Sequence, residues 1–355
     1  MLTVLRTGYA FLAAYLKGEE SKLLSAAHVD RIFRTTKVQD ALVSVKDTDI
    51  GSYFEEVSPS ALDSFDEIDD HLWAYFGKCI DFLRWLRVVP GGVRDLLSVY
   101  IRKYDVANVK VALRGMLTGE KARMIPVGAI ASRGMLESLA AIDEVPDMVR
   151  ILRDCGLNDY ALILDDASDS IEEGGAKARL AAEAALDSLY YDNMLIATKK
   201  MSDGKRFVML QGMVTDLVNL QMVYRAVIRG IGPEAAGYLV GDGYEVSRDM
   251  AKAMLELTPA EVSVRLENGK YGEMAAEIAN SFDRTRSVTV VDEVIEKHKF
   301  TFIREMVSTK LLSPLLVAWY LALKELELRN LRLILKAISD GAALDKIKDY
   351  LVLPS

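Results

Sequence analysis

Apolar residues recur along almost the whole chain at intervals of three and four, the spacing that places them on one face of an α-helix. No stretch alternates apolar and polar residues as a half-buried strand does, so the expected fold is all-α. The pattern is sharpest in three segments, YDVANVKVALRGMLTG, TDLVNLQMVYRAVIRG and LELRNLRLILKAISDG. Each carries an acid at its second position, Asp105, Asp216 and Glu327, and the acids are spaced by an unbroken 111 residues. Counted from the acid, positions one, four, seven, eight and eleven residues on are apolar in every copy. In the first copy these are Val106, Val109, Ala112, Leu113 and Met116. Asn follows the acid by three residues (Asn108, Asn219, Asn330) and a cation by nine (Arg114, Arg225, Lys336). Glycine closes each segment, at Gly119, Gly230 and Gly341, where a helix ends cheaply in the left-handed conformation. The chain is therefore triplicated. Units of 111 residues are long enough to bury their own cores, unlike solenoid repeats of about 20–50 residues.

A weaker pattern precedes each of these helices, a charged, turn-rich stretch carrying Tyr53, Tyr160 or Tyr271. Between the two patterns the spacing predicts long helices such as Asp69 to Arg87 and Arg179 to Lys200. Glycine and proline break the helical pattern at Gly119–Pro126 and Gly230–Pro233, the expected joints between units. Ser168–Gly175 and Asn268–Gly272 read as surface loops, and Lys199–Lys200 to Lys205–Arg206 as a basic, solvent-facing loop. Three helical lobes of five or six helices each are expected, over 1–119, 120–230 and 231–355.

At about 100° per residue, the acid and the Asn three positions along fall on or beside the apolar stripe. Buried polar groups need partners, so Asp105, Asn108, Asp216, Asn219, Glu327 and Asn330 are expected to form one structural network, repeated in each lobe. It would tie the helix to the Tyr-bearing turn or to a neighbouring helix end; a sharper alternative has the three copies lining a shared central socket. Arg114, Arg225 and Lys336 point roughly the opposite way and are the candidate interface to a neighbouring unit or a partner.

Charge and chemistry narrow the function classes. A net charge of −8 argues against nucleic acid as the main partner, because phosphate binders concentrate Lys and Arg. Cys79 and Cys155 are too few for a disulfide framework or a Cys-rich metal site, which suits a reducing compartment. The opening MLTVLRTGYAFLAAYLKG lacks a basic start and a small-residue cleavage site, so no signal peptide is expected. The most apolar run, Leu311 to Leu323, falls short of the roughly 20 residues a membrane span needs and reads as a buried helix. A soluble, intracellular chain without cofactor or metal is expected. There is no Gly-rich loop ending in Lys-Ser/Thr, and Gly230–Ile231–Gly232 and Gly241–Asp242–Gly243 are isolated matches to a weak motif. His28, His71 and His298 are scattered without metal-ligand spacing. Asp165, Asp166 and Asp169 form a DDxxD arrangement, which could hold magnesium and diphosphate in an all-helical prenyl-diphosphate enzyme. The motif runs into a Ser- and Glu-rich stretch and occurs once, so it reads as a solvated acidic turn, with the enzyme as the alternative.

The D/E-x-x-N-[VL]-[KQR] helices, above all YDVANVKVALRG and ELELRNLRLILKAI, resemble those of the C subunit of the archaeal and bacterial A/V-type ATP synthases. The eukaryotic counterpart is the d subunit of the vacuolar ATPase. The resemblance extends over the whole chain and includes the aromatic opening helix, Tyr9 to Leu16. It departs at Ala13 and Ala14, where that family usually carries an Arg. The resemblance implies three helical lobes around a pseudo-threefold axis, forming a funnel, and a place in the central rotor. The base would rest on the membrane proteolipid ring and the cavity would receive the D/F axle, with indirect coupling to the A and B catalytic head. Such a chain would be non-catalytic, cytoplasmic and peripheral to the membrane, and would pass torque between ring and head.

Overall fold

The three repeated segments fold as helices that outrun the repeat itself. In the computed structural model, which describes residues 2–58, 62, 64–87, 89–120, 123–201, 204–308, 313 and 315–353, no strand occurs among the described residues. The fold is all-α. The amino-terminal helices are α1 (Leu2–Glu20), α2 (Ala26–Ile32), α3 (Val38–Val43), α4 (Asp49–Glu55), α5 (Phe65–Trp85) and α6 (Gly91–Tyr100). The first repeated segment lies in α7 (Arg102–Thr118). It is followed by α8 (Ala129–Ser132), α9 (Leu136–Ala140), α10 (Val145–Asp154), α11 (Asn158–Gly174) and α12 (Ala176–Lys199). The second lies in α13 (Gly204–Ile228), which a short 3-10 helix (Pro233–Tyr238), α14 (Arg248–Met254), α15 (Pro259–Leu266), α16 (Gly272–Thr285) and α17 (Thr289–Ser308) follow. The third lies in α18 (Leu315–Ser339), ahead of a 3-10 helix at Leu344–Tyr350.

Local chemistry sets these boundaries. Ser64 and Thr258 cap α5 and α15 in reciprocal boxes with Glu67 and Glu261, and Ser25 does the same for α2 with His28 in place of the usual carboxylate. At the other end, Gly119, Gly230 and Gly341 all take positive φ just beyond the repeated helices, as their position in the repeat predicts.

The described chain divides into two compact units, Met1–Leu97 with Ile303–Ser355, and Ser98–Phe302. In the first, α18 packs on α5 and also meets α1 and α3, burying Leu72, Phe76 and Leu83 of α5 and Leu331, Ile334 and Leu335 of α18. In the second, α7 packs on α12, α12 on α11 and α13, and α13 on α14 and α15.

Two local expectations differ from the structure. Ser168–Gly174 is not a loop but the second half of α11. Leu164 and Ile171, seven residues apart, are both buried on one face, and this packing carries the helix through its polar residues until Gly175 takes φ +64. Lys205 and Arg206 likewise stand in the first turn of α13 rather than in a loop. Within the apolar run from Leu311 to Leu323, Leu311, Leu312 and Pro314 lie outside the described residues, and Leu315 to Leu323 open α18. No helix among the described residues is long and apolar enough to cross a membrane.

Candidate functional site

The acid and the Asn of each repeated helix stand one turn apart and act together as a clasp on backbone. Asp105, in the first turn of α7, accepts the first two amides of α8, from Ala129 at 3.0 Å and Ile130 at 2.9 Å. Asn108 pairs with Ile125 in both directions, donating to its carbonyl at 2.8 Å and accepting its N–H at 2.7 Å. Both side chains are buried, and their polar atoms are matched by main-chain groups.

The second clasp is denser. Asp216 accepts three consecutive amides, from Tyr244 at 3.0 Å, Glu245 at 2.8 Å and Val246 at 2.9 Å, together with the Tyr271 hydroxyl at 2.7 Å. Asn219 donates to the Gly241 carbonyl at 3.1 Å and accepts the Val240 N–H at 2.9 Å. The backbone can come this close only because a side chain is missing. A Cβ on Gly243 would stand 1.7 Å from Asp216 Oδ1, and one on Gly128 would stand 2.3 Å from Asp105 Oδ1. Gly243 belongs to the isolated GxG match in the sequence, whose purpose is thus close approach to a carboxylate rather than to a phosphate.

The third clasp reaches to both ends of the chain. Glu327 accepts the Leu24 N–H at 2.9 Å and the Lys324 ammonium at 3.2 Å. Lys324, only 1% exposed, also donates to the Tyr75 hydroxyl of α5 and stands 3.7 Å from the Asp49 carboxylate. Asn330 donates to the Val352 carbonyl at 2.7 Å, while its own buried Oδ1 has no hydrogen-bond partner among the described residues.

Burial shifts all three acids the same way. Removal from water pushes the Asp105 carboxyl up to about 6, against the pull of its two amides. Asp216 and Glu327 are also raised, first by burial, with their hydrogen-bond donors pulling back. Burial lowers Lys324, but the charges of Glu327, Cys79 and Asp49 outweigh it and leave the ammonium above its ordinary value.

Of the three repeated tyrosines, Tyr271 is bonded to its acid. Tyr160 meets Asn193 at 3.5 Å and Tyr53 meets His71 at 3.4 Å. The cations meet acids of this same chain. Arg114 grips the buried Glu183 of α12, Arg225 pairs with Asp292 of α17, and Lys336 pairs with Asp340 at the end of its own helix. A second donor, one helical turn before each cation, escaped the sequence reading. Lys110 meets Asp187 of α12 at 2.6 Å, Gln221 meets Asp292 at 2.6 Å, and Arg332 forks onto Asp69 of α5. The signal was the last position of the repeated motif, a long side-chain donor in every copy.

Asp165, Asp166 and Asp169 lie along α11 and not in a turn. Asp165 pairs with Arg153 at 2.7 Å, and Asp166 borders an open groove of about 860 Å³ between α11 and α12. The facing wall is Ala178, Ala181, Ala182 and Lys177, a cation where a diphosphate enzyme would need further carboxylates. Among the described residues no group of three His, Cys, Asp or Glu side chains is placed to hold a metal ion. Both cysteines are free thiols, with Cys155 buried against Met135, and His28 and His298 are occupied with Ser25 and Glu277. The repeated residues thus join segments of the chain through buried hydrogen bonds.

Comparison with known proteins agrees in length and in place. The sequence profile of the ATP synthase (C/AC39) subunit family matches residues 12–350. The C subunit of the A-type ATP synthase of Methanocaldococcus jannaschii is 23% identical over 354 residues, covering 97% of this chain and 86% of the relative. That of Pyrococcus furiosus is 25% identical over 355 residues, covering 97% and 90%. That of Methanothermobacter thermautotrophicus is 26% identical over 260 residues, covering 71% and 66%.

Proposed function

This chain belongs to the ATP synthase (C/AC39) subunit family, and on that premise we propose that it is the non-catalytic central-stalk subunit of an A/V-type ATP synthase. In this role it links the membrane proteolipid ring to the axle formed by the D and F subunits and passes torque between the ring and the A and B catalytic head. The observation that carries the reading is the family match over residues 12–350, nearly the full chain.

The clasps support it physically. A torque coupler has to resist bending at its joints, and a buried acid bound to several backbone amides fixes the path of the segment it holds. With lobes taken as 1–119, 120–230 and 231–355, the first two clasping helices each stand at the end of a lobe, and their acids grip amides in the early part of the next. The third grips Leu24, so the order of contacts returns to the first lobe. The interface is assigned to Arg114, Arg225 and Lys336, whose side chains keep 55%, 44% and 53% of their surface exposed while paired within the chain. On this reading the chain sits on the cytoplasmic side, against the polar loops of the ring.

The test is recovery of partners. The tagged chain is isolated from its native membranes in mild detergent and its companions are identified by mass spectrometry. A small proteolipid together with the D, F, A and B subunits is the expected result. A partner-free chain in the soluble fraction refutes the rotor reading.

A further inference from the structure

The first two clasps hold a continuous piece of chain. Asn108 and Asp105 grip residues between Ile125 and Ile130, and Asn219 and Asp216 grip residues between Val240 and Val246. Neither piece can leave without dragging a loop that is anchored on both sides. At the third clasp the two grips fall on segments far apart in the sequence, Leu24, in the turn between α1 and α2, for Glu327, and Val352, after the last 3-10 helix, for Asn330, with no short loop joining them.

That clasp is also the poorest in backbone bonds. Among the described residues its acid accepts one amide, whereas Asp105 accepts two and Asp216 three. Among the described residues Asn330 Oδ1 is buried and without a partner, whereas its two counterparts accept the amides of Ile125 and Val240. Beside it, Arg329 Nη1 is buried and unpartnered as well. The missing bonds are replaced by a lysine. Lys324 stands three residues before Glu327 on the same helix, where the first and second copies have Arg102 and Met213.

This substitution changes what happens on opening. If α8 left Asp105, that acid would lose both of its hydrogen-bond donors at once. If Leu24 left Glu327, the carboxylate would keep Lys324, which travels on α18 with it. The open state of the third clasp therefore avoids the cost of an orphaned buried charge, and the closed state, which already contains an orphaned oxygen, gains less from being closed.

We propose that the third clasp is a built-in release point, at which the segment through Leu24 and the carboxy-terminal stretch around Val352 leave α18 while the other two clasps remain shut. Local opening where few backbone bonds hold a segment is the expected low end of a protein's range of stabilities. The device lies wholly within the unit formed by Met1–Leu97 and Ile303–Ser355 and does not depend on the rotor reading.

Amide hydrogen exchange on the full, isolated chain tests it, read at the three amides held by the clasp acids. Leu24, Ile130 and Val246 are 2%, 0% and 1% exposed, so static burial alone predicts equal protection. The release point predicts that Leu24 exchanges at least tenfold faster than Ile130 and Val246. Equal protection, or slower exchange at Leu24, overturns the proposal. Asn330→Leu gives a second reading, since it cuts the tail's bond and removes the orphaned oxygen. Faster exchange confined to Leu24 and to residues 344–353 supports local release. An equal acceleration at all three clasps means that opening is global and also overturns the proposal.

Discussion

A carboxylate under a packed helix is tolerated only when its oxygens are matched, and here the matching groups are main-chain amides whose own partners are gone. Removing one side therefore strands the other. Asn219→Leu leaves the buried Val240 amide and the half-buried Gly241 carbonyl without their partner. We expect a loss of about 1–3 kcal/mol, measured by chemical denaturation; an unchanged midpoint refutes the buried network at that residue. Asp105 carries a pH signature as well. Its carboxyl in the folded chain titrates near 6, above the ordinary value, so the folded state binds that proton more tightly than the unfolded state. The stability this contributes is full at pH values below the ordinary carboxylate range and is lost as pH rises through about 6. Between about pH 4 and 6 the unfolding free energy of the natural chain should fall more steeply than that of Asp105→Asn, by an extra amount on the order of 1–3 kcal/mol, the slopes from Asp216 and Glu327 being common to both. Parallel curves refute the assignment. At this scale the sequence told which polar residues are buried, since the helical wheel places them. It could not tell which amides they hold, because those lie 17 to 30 residues downstream or, for Leu24, 303 residues away.

Among the elements, the loops turn out to be as specified as the helices. Gly230 sits at φ +71 with open space around its missing side chain, so Gly230→Ala costs only the left-handed strain, about 1–2 kcal/mol. Gly243→Ala instead drives a methyl group into Asp216 and should cost at least twice as much in the same thermal or chemical melt. If the two variants melt alike, the close approach at Gly243 is not what holds the second clasp. The pair between α13 and α17 belongs to this scale too. Arg225 and Asp292 are both partly exposed, so a double-mutant cycle on the pair should give a coupling of about 0.2–1 kcal/mol, and a charge swap should recover most of it. Helix α11 shows why composition misleads about elements. Its Ser, Asp and Glu residues look like a loop, yet Leu164 and Ile171 keep it helical by packing on one face. The buried positions decide, and the exposed ones are free to be polar.

For the whole molecule, the rotor reading makes the outward-facing cation of the third copy the cleanest probe. Arg114 and Arg225 hold helices of their own chain, so reversing them mixes folding with binding. Lys336 instead pairs with the neighbouring Asp340, just past the end of its own helix, beside the Phe65 ring. Lys336→Glu should reduce recovery of the ring or the D and F subunits with detergent-solubilised membranes while leaving the melting temperature nearly unchanged; full recovery removes Lys336 from the interface. The sequence by itself determined the helical class, three repeated segments in a register of 111 residues, the helix-ending glycines and the burial of acid and Asn. These follow from a periodicity of three to four residues, which is local and is written directly in the order of side chains. Only the tertiary structure decided that each acid grips backbone, that Gly128 and Gly243 make room for it, and that Lys324 is buried beside Glu327. It alone also decided that the third helix is closed by the two ends of the chain. The partner of a buried polar group is chosen by the path the chain takes through space, and no local spacing encodes that path.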